Sequence, residues 1–344
     1  MRLAVTGGAG FLGYHLCRNL SNKYSRIHAI DIAAINAKEY PSNVEYSKVD
    51  IRDSEALENV FKGVDFVVHA AAALPLWKRK DIFETNIDGT RNVLEAAKKN
   101  RIKRVVFVSS TAVYGVPAKH PIYENDELVG VGPYGEAKIE AEKICEQFRE
   151  TGMCIPIIRP KTFIGTGRLG VFQILYDWVK SGKKIPVIGN GMNHYQLLEV
   201  DDLVDAIYLL LTLPEKMVNC AFNVGAKEFG TVREDVGAMC EFSKTGAKVI
   251  SVPSIIAKPI LTLLWTLRVS PLYKWVYGTA DTDSFVSIEK AEGTLGWEPK
   301  FSNKDALIRS YIWYLDNYDK LEGSGITHRV AWKQGILSFV KKVM

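Results

Sequence analysis

Thr6-Gly7-Gly8-Ala9-Gly10-Phe11-Leu12-Gly13 is the stretch whose reading decides the fold. Ahead of it, Arg2 to Thr6 reads as a short buried strand, with Leu3, Ala4 and Val5 in a row. Behind it, Leu12, Leu16 and Leu20 recur at helical spacing. The glycines therefore sit in a turn between a strand and a helix. Such a turn aims backbone N–H groups and the positive end of the helix dipole at a pyrophosphate. Glycine is needed where a Cβ would block close approach or the required φ. The spacing Gly7-x-x-Gly10-x-x-Gly13 differs from the usual G-x-G-x-x-G fingerprint, and a tight turn with no ligand would show the same glycines.

Asp31 adds the second clue. Arg26 to Ile30 reads as the next strand, and Asp31 closes it about 18 residues beyond Gly13, where a carboxylate bonds the adenosine ribose. Ile32 follows it and is counted among the expected cofactor contacts. No Lys or Arg follows until Lys38, so nothing nearby welcomes a 2′-phosphate. The expected cofactor is NAD rather than NADP.

Strand-like and helix-like segments alternate up to about residue 165. Val44 to Val49 is a strand ending at Asp50-Ile51-Arg52-Asp53, and Ser54 caps a helix to Lys62. Val64 to His69 is a buried strand followed by Ala70-Ala71-Ala72-Ala73, small residues that let a cofactor lie against backbone or a helix pack on the sheet. Asp81 to Lys99 is one long helix, and Arg104 to Val108 another strand. The expected class is α/β: a Rossmann-type doubly wound parallel sheet with a smaller C-terminal α/β substrate domain. Thr6, Asp31, Asp50, His69 and Ser109 all fall at carboxyl ends of strands, where such sheets bind ligands.

Ser109-Ser110-Thr111 then places hydroxyls at a strand end. Gly132-Pro133 starts a helix on which Tyr134 and Lys138, four apart, share a face. A phenol titrates near ~10, and an adjacent cation favours the phenolate. Lys138 and the positive ring of an oxidised nicotinamide are the expected cations, making Tyr134 a general base. Ser110 is placed to hydrogen-bond the substrate oxygen. Alone, Tyr-x-x-x-Lys is compatible with an ordinary surface helix; the combination is what points to hydride exchange at a secondary alcohol or ketone.

These residues resemble the extended short-chain dehydrogenase/reductases, the group that includes UDP-glucose 4-epimerase, nucleotide-sugar dehydratases and 3β-hydroxysteroid dehydrogenases. TGGAGFLG, Asp31, DIRD at 50–53, HAAA at 69–72, the Asn86 of TNIDGT, VSSTAVYG, YGEAK and RPKTFIG at 159–165 carry the likeness over most of residues 1–315. The resemblance implies Tyr134 as base, Lys138 on the nicotinamide ribose and Ser110 as the hydroxyl partner. It also implies Asp50 and Ile51 beside the adenine, and Pro160 and Phe163 near the nicotinamide. Gly7, Gly10, Phe11, Leu12, Gly13, Asp31, Ile32, Ala70, Ala71, Ala72, Asn86 and Ser109 complete the expected cofactor contacts, with no metal. Dehydratases of the family carry Asp-Glu where this chain has Thr111-Ala112, which counts against elimination. Epimerases are compatible with that pair. Yet their diphosphate-binding asparagine is missing from RPKTF, Tyr195 stands where their arginine is expected, with His194 adjacent, and Leu74 replaces a lysine some of them use. Thr111, His194 and Tyr195 are the expected substrate contacts. The favoured reading is an epimerase of a nucleotide sugar or lipid-linked sugar. The rival is a sterol or 3-keto-lipid dehydrogenase, and a non-catalytic NAD-binding subunit is the third. The family commonly pairs helices like 81–99 and 133–150 about a two-fold axis, which implies a homodimer.

Length suggests about two domains. The expected parts are a cofactor domain over 1–165 with later strands drawn from 166–230, a substrate region over 166–320, and a tail over 321–344. The chain is 47% hydrophobic and 24% charged, and its net charge of +5 includes no polybasic run, so nucleic acid is not an expected partner. Five scattered cysteines without C-x-x-C, six scattered histidines, and a strand beginning at Arg2 indicate reduced thiols, no zinc site and no signal peptide, hence the cytoplasm. Two stretches add peripheral contact with the membrane's inner face to the expectations. Residues 252–278 are apolar and broken by Pro253, Pro259 and Pro271, which reads as a buried helix or dimer contact, or as a lid touching lipid or an apolar substrate. Residues 326–344 put Trp332, Ile336, Phe339, Val340 and Val343 on one helical face with Lys333, Lys341 and Lys342 around it, a pattern that suits a membrane surface or packing back on the body.

Overall fold

The computed structural model describes residues 1–267, 277–321, 329–330 and 341. Its strands are β1 (Arg2–Thr6), β2 (Arg26–Asp31), β3 (Val44–Lys48), β4 (Phe66–His69), β5 (Arg104–Val108), β6 (Ile157–Pro160), β7 (Thr162–Ile164), β8 (Lys184–Ile188), β9 (Leu197–Glu199), β10 (Ala221–Val224) and β11 (Lys248–Val252). Its helices are α1 (Phe11–Asn19), α2 (Ser54–Val60), α3 (Arg79–Phe83), α4 (Gly89–Lys99), α5 (Gly132–Glu150), α6 (Val171–Lys180), α7 (Val200–Thr212), α8 (Glu215–Val218), α9 (Val232–Ser243), α10 (Ser254–Thr266), α11 (Glu289–Leu295) and α12 (Asn303–Asn317).

Seven strands make one parallel sheet in the order β3-β2-β1-β4-β5-β6-β10. The side-chain period of two divides its apolar residues between two cores. Leu3, Val5, Val68 and Val106 enter one, with Leu12, Leu16 and Leu20 of the first crossover. Ala4, Val67, Val105 and Phe107 enter the other, under α4 and α5. Both faces are covered, as a parallel sheet requires. Strand order reverses between β1 and β4, so a crevice opens at their carboxyl ends, where Thr6 lies opposite His69. A further apolar cluster joins Tyr176 and Trp178 of α6, Ile185 of β8, Met239 of α9, and Tyr311 and Tyr314 of α12.

Four expectations need correction. The helix over 81–99 is α3 and α4 separated by a π-helical turn, Glu84–Asp88. The turn places Asn86 inward on Ala73 and lets Gly89 lie against Ile51, where a Cβ would come within 2.6 Å of Cδ1. The cap of α2 is Asp53, whose carboxylate accepts from the Ala56 N–H at 3.0 Å; Ser54 is already helical. The strand expected over 195–200 is only Leu197–Glu199, because His194 and Tyr195 instead make single bridges to Thr231 and Ser284. In the 252–278 stretch, the described helix α10 is not the buried helix expected there, for it contains no buried residue.

Residues 268–276 of that stretch lie outside the described residues, as do Trp332, Lys333, Ile336, Phe339, Val340, Lys342 and Val343 of the tail. Two of the described tail residues pair with the body. Arg329 binds Glu39 and covers the Tyr14 ring at 3.9 Å, and Lys341 Nζ lies 2.6 Å from Asp177. Among the described residues no helix is long and apolar enough to cross a membrane. All five cysteines are free thiols.

Candidate active site

Contact distances explain most of the glycines. Gly7 has φ +73°, and a Cβ there would stand 2.8 Å from the Ala71 nitrogen. A Cβ on Gly13 would stand 2.1 Å from the Gly7 oxygen. The glycine turn, the start of α1 and the alanine run after β4 are therefore pressed together. A Cβ on Gly10 would meet only the Gly7 oxygen, at 3.1 Å, leaving the rest of that side open. Gly10 also caps α1 without a side-chain acceptor, so no side chain satisfies the first N–H groups at Phe11, Leu12 and Gly13. Asp31 stands across the turn, accepting from the Ala9 N–H at 3.0 Å and the Ala33 N–H at 2.9 Å. Burial pushes its pKa up, against those backbone bonds. Ile32 beside it is exposed. An uncapped helix start, an open glycine and a carboxylate at the next strand end fit an adenine dinucleotide.

The alanine run is held by a chain of hydrogen bonds. The Ala71 N–H donates to Thr6 Oγ1 at 3.3 Å, and Thr6 Oγ1 lies 2.7 Å from His69 Nδ1. His69 Nε2 lies 3.0 Å from Thr90 Oγ1, which donates to the Asn86 carbonyl at 2.7 Å. Each hydroxyl has one proton, so the chain assigns His69 the Nε2–H tautomer, accepting at Nδ1. Burial, aided by the Lys138 ammonium, drops the imidazole pKa to about 3, so the ring stays neutral. Ala70 and Ala72 complete the half-buried run. Asn86, expected among the cofactor contacts, uses both amide atoms on Ala73, so it positions the run rather than reaching outward. Asp50 lies in a bidentate pair with Arg52, 2.6 Å at the shortest, and Ile51 is buried against Gly89.

Tyr134 and Lys138 come together with Ser110 on the other side of the crevice. The Tyr134 hydroxyl bonds Ser110, and burial still pushes the phenol up to about 12. Lys138 is buried, with Nζ 2.8 Å from the Val108 carbonyl and 6.0 Å from the centre of the Tyr134 ring. Burial lowers its pKa to about 8. The expected push of this ammonium toward the phenolate is not what sets the phenol: desolvation, opposed only by the Ser110 bond, keeps Tyr134 protonated at neutral pH.

Glu142, one turn beyond Lys138, was not singled out from sequence, although Tyr134, Lys138 and Glu142 follow each other at helical spacing. It holds Arg159 in a buried ion pair, 2.6 Å at Nη2 and 3.0 Å at Nε. Arg159 Nη1 donates to the Tyr114 hydroxyl at 2.7 Å, which donates to Asn223 Oδ1 at 2.8 Å. Ser109, expected among the cofactor contacts, turns its hydroxyl inward and donates it to Glu142. The network ties β5, α5, β6 and β10 together directly beneath the Tyr–Lys pair.

On the substrate side, Thr111 Oγ1 reaches the Pro160 carbonyl at 3.4 Å, and Phe163 stacks on Phe11 at 5.9 Å, closing the glycine turn. Tyr195 and Thr162 hydrogen-bond each other at 3.0 Å. His194 donates its backbone N–H to Asp283 and stands edge-on to Phe229 and Phe285. Lys161, also missed from sequence, is buried with Nζ 2.6 Å from Ser284 Oγ and 5.1 Å from the centre of the Tyr195 ring. Among the described residues no carboxylate pairs with it, and burial lowers its pKa to about 7. Between that value and the unfolded ~10.4, the unfolded chain holds the extra proton, so stability rises with pH across this window. Lys161→Met is expected to flatten the rise. Urea midpoints of the cofactor-free protein at pH 6.5 and 9.5 check it; an unchanged pH difference in the variant would mean the buried amine keeps its proton.

The profile of the NAD dependent epimerase/dehydratase family matches residues 3–225, about the span from β1 to β10. The chain belongs to that family. It is an NAD-dependent enzyme of the extended short-chain dehydrogenase/reductase type. A putative UDP-glucose 4-epimerase of Methanocaldococcus jannaschii is 28% identical over 331 residues, covering 92% of this chain and 99% of the relative. An uncharacterised protein of Sinorhizobium fredii is 34% identical over 342 residues, 98% of this chain and 84% of the relative. The solved UDP-glucose 4-epimerase of Thermotoga maritima, with UDP-glucose, superposes with a TM-score of 0.78 at 25% identity, covering 92% of this chain and all of the other. Tyr195, which stands where the resemblance expects an arginine, hydrogen-bonds Thr162 of the RPKTF stretch.

Proposed function

We propose that the chain is a sugar epimerase whose substrate is a nucleotide sugar or a lipid-linked sugar. The observation that carries this is the Ser110–Tyr134–Lys138 cluster beside the glycine turn, with no carboxylic acid at 111–112. Thr111 turns to the Pro160 carbonyl and the Ala112 N–H caps onto Ser110 at 3.2 Å, so these positions hold no acid for an elimination. The named relatives support the substrate class.

Bound in its oxidised form, NAD supplies the hydride-accepting ring and a positive charge in the cleft. The protein does the rest. Gly7 to Gly13 and Asp31 hold the dinucleotide, with Ala70 to Ala72, Ile51, Pro160 and Phe163 along it. Tyr134 takes the proton of the sugar hydroxyl and later returns it. Ser110 shares its hydrogen bond between the phenol and that oxygen, and Lys138 holds the nicotinamide ribose while its charge keeps the phenolate within reach. Thr111, His194 and Tyr195 line the substrate side. The helices of 79–99 and 132–150 form the two-fold contact of a cytoplasmic homodimer.

The exposed apolar α10 favours a second reading, oxidation or reduction of a sterol or 3-keto lipid. The two differ in cofactor demand. An epimerase is expected to purify with NAD bound and to turn over without added cofactor, showing a reduced-nicotinamide absorbance band when its sugar is added. Strict dependence on stoichiometric added NAD would reject epimerisation in favour of the dehydrogenase.

A further inference from the structure

Lys161 follows the last residue of β6. That strand runs beside β5 with Val108 opposite Ile158, so Ser110 and Thr111 emerge next to Pro160 and Lys161. The Thr111 hydroxyl meets the Pro160 carbonyl at 3.4 Å across this step. The lysine thus leaves the sheet at the carboxyl end, where such sheets bind ligands, close to the serine that bonds Tyr134.

Lys161 lies under a wall of hydroxyls. Its Nζ donates to Ser284 Oγ at 2.6 Å and stands 5.1 Å from the centre of the Tyr195 ring. Tyr195 in turn bonds Thr162 at 3.0 Å. Thr111, Thr162, Tyr195 and Ser284 are half-buried, so the wall keeps an open side, whereas Lys161 itself is 4% exposed.

An ammonium has three protons to donate, and burying it without a counter-charge is costly. Arg159, two residues earlier, is buried with Glu142 against it. The groups packed around Lys161 bring no such charge. Burial pushes the Tyr195 phenol up, so it stays neutral. His120 stacks on Phe285 at 4.9 Å; burial presses its pKa down, the Asp283 charge pulls it up, and the Lys161 charge adds to the fall. Its Nε2 is buried with no hydrogen-bond partner among the described residues. Asp283, although next to Ser284 in the chain, is 48% exposed and takes the His194 N–H at 2.8 Å. One wall therefore holds two nitrogen groups, Lys161 and His120 Nε2, with hydrogen-bonding capacity left unused. A hydrocarbon side chain at 161 would pack there without the desolvation cost.

We infer that Lys161 is a specificity-determining counter-ion for the substrate: it holds an anionic oxygen on or next to the sugar ring whose hydroxyl Tyr134 deprotonates. Two sources share this chemistry, a carboxylate on the ring and the phosphate at its anomeric carbon. A charge-assisted bond to either is about twice as strong as a neutral one. The inference rests on the epimerase reading for the presence of a sugar and adds which cation selects among sugars.

The test is calorimetric binding to the NAD-loaded full chain, wild type against Lys161→Met. UDP-glucose and UDP-glucuronic acid are the probes, and they differ by one carboxylate. Weakening by about 10- to 100-fold is expected in the variant, the range of one hydrogen bond to a charged group. A loss confined to UDP-glucuronic acid assigns the carboxylate, and an equal loss for both assigns the phosphate. The Lys161 amine stands near 7 in the free enzyme, and a bound anion raises it. Binding then takes up a proton between those two values, so wild-type affinity is expected to fall as pH rises from 7 to 9. Lys138, near 8, titrates in the same window but is present in both proteins, so the difference between the two profiles belongs to Lys161. A lysine that merely braces Ser284 and Tyr195 would change affinity and leave the pH slope alone. Equal slopes in the two proteins overturn the inference while the epimerase reading stands, because both still bind the probes. Binding of neither probe by wild type overturns the inference and the nucleotide-sugar reading together. Should the variant not fold, proton uptake by wild type at pH 8, read in buffers of different ionisation enthalpy, decides: no uptake overturns the inference.

Discussion

Tyr134→Phe is expected to fold, to bind NAD and to lose turnover by about 100- to 10,000-fold, the range general acid–base groups supply. The substitution keeps the ring and its packing and removes only the hydroxyl that bonds Ser110. Loss of one hydrogen bond costs stability only about 1 kcal/mol, so a folding defect will not mimic the loss of chemistry. No neighbour replaces the phenol. Lys138 points its ammonium at the Val108 carbonyl, and the His69 imidazole is sealed between Thr6 and Thr90. The measurements are kcat in saturating sugar and NAD retention through gel filtration. Near-native kcat would remove Tyr134 from the mechanism and leave the Rossmann crevice as a binding site only.

The second large effect is on stability. Glu142→Gln is expected to cost about 3–5 kcal/mol, the penalty for leaving one partner of a buried ion pair uncompensated. Glu142 and Arg159 are both under 5% exposed, and the guanidinium meets both carboxylate oxygens. Burial works against the charge on Arg159, but the Glu142 carboxylate more than offsets it and holds the pKa above its ordinary value. A glutamine brings a neutral oxygen to a cation that cannot shed its proton. The Ser109 hydroxyl and the Tyr114 hydroxyl lose their geometry with it. The check is the urea midpoint at unchanged slope. Glu142→Leu/Arg159→Met is expected to be much less destabilised than Glu142→Gln, because an apolar pair leaves no orphaned charge. A loss below about 1 kcal/mol in Glu142→Gln would show that water reaches Arg159.

What could be read without coordinates is what the chain encodes locally. Gly7, Gly10 and Gly13 between an apolar run and the Leu12–Leu16–Leu20 repeat already specify a strand, a turn and a helix. Tyr134 and Lys138 share a face by spacing alone. The carboxyl-end positions of Thr6, Asp31 and His69 follow from counting strands. Errors arose where a distant contact overrides a local pattern. The helix over 81–99 contains a π turn because Asn86 is drawn to Ala73. Nothing local told that the Ser109 hydroxyl turns inward, to Glu142 of the distant α5. For 252–278 the apolar sequence allowed a buried helix, a dimer contact or a lid, and only the fold shows that α10 has no buried residue, because hydrophobicity does not say which element is left to cover it.

The amino-acid order by itself determined the parallel α/β sheet, the dinucleotide turn and the Tyr–Lys pair, since each rests on periodicity or spacing within one or two neighbouring elements. Only the tertiary structure decided the electrical state of the site: His69 neutral, Tyr134 protonated, Lys161 buried with no carboxylate beside it among the described residues, Arg159 locked to Glu142. Those states depend on desolvation and on charges brought together from strands far apart in the chain, and neither quantity exists until the sheet has closed around them.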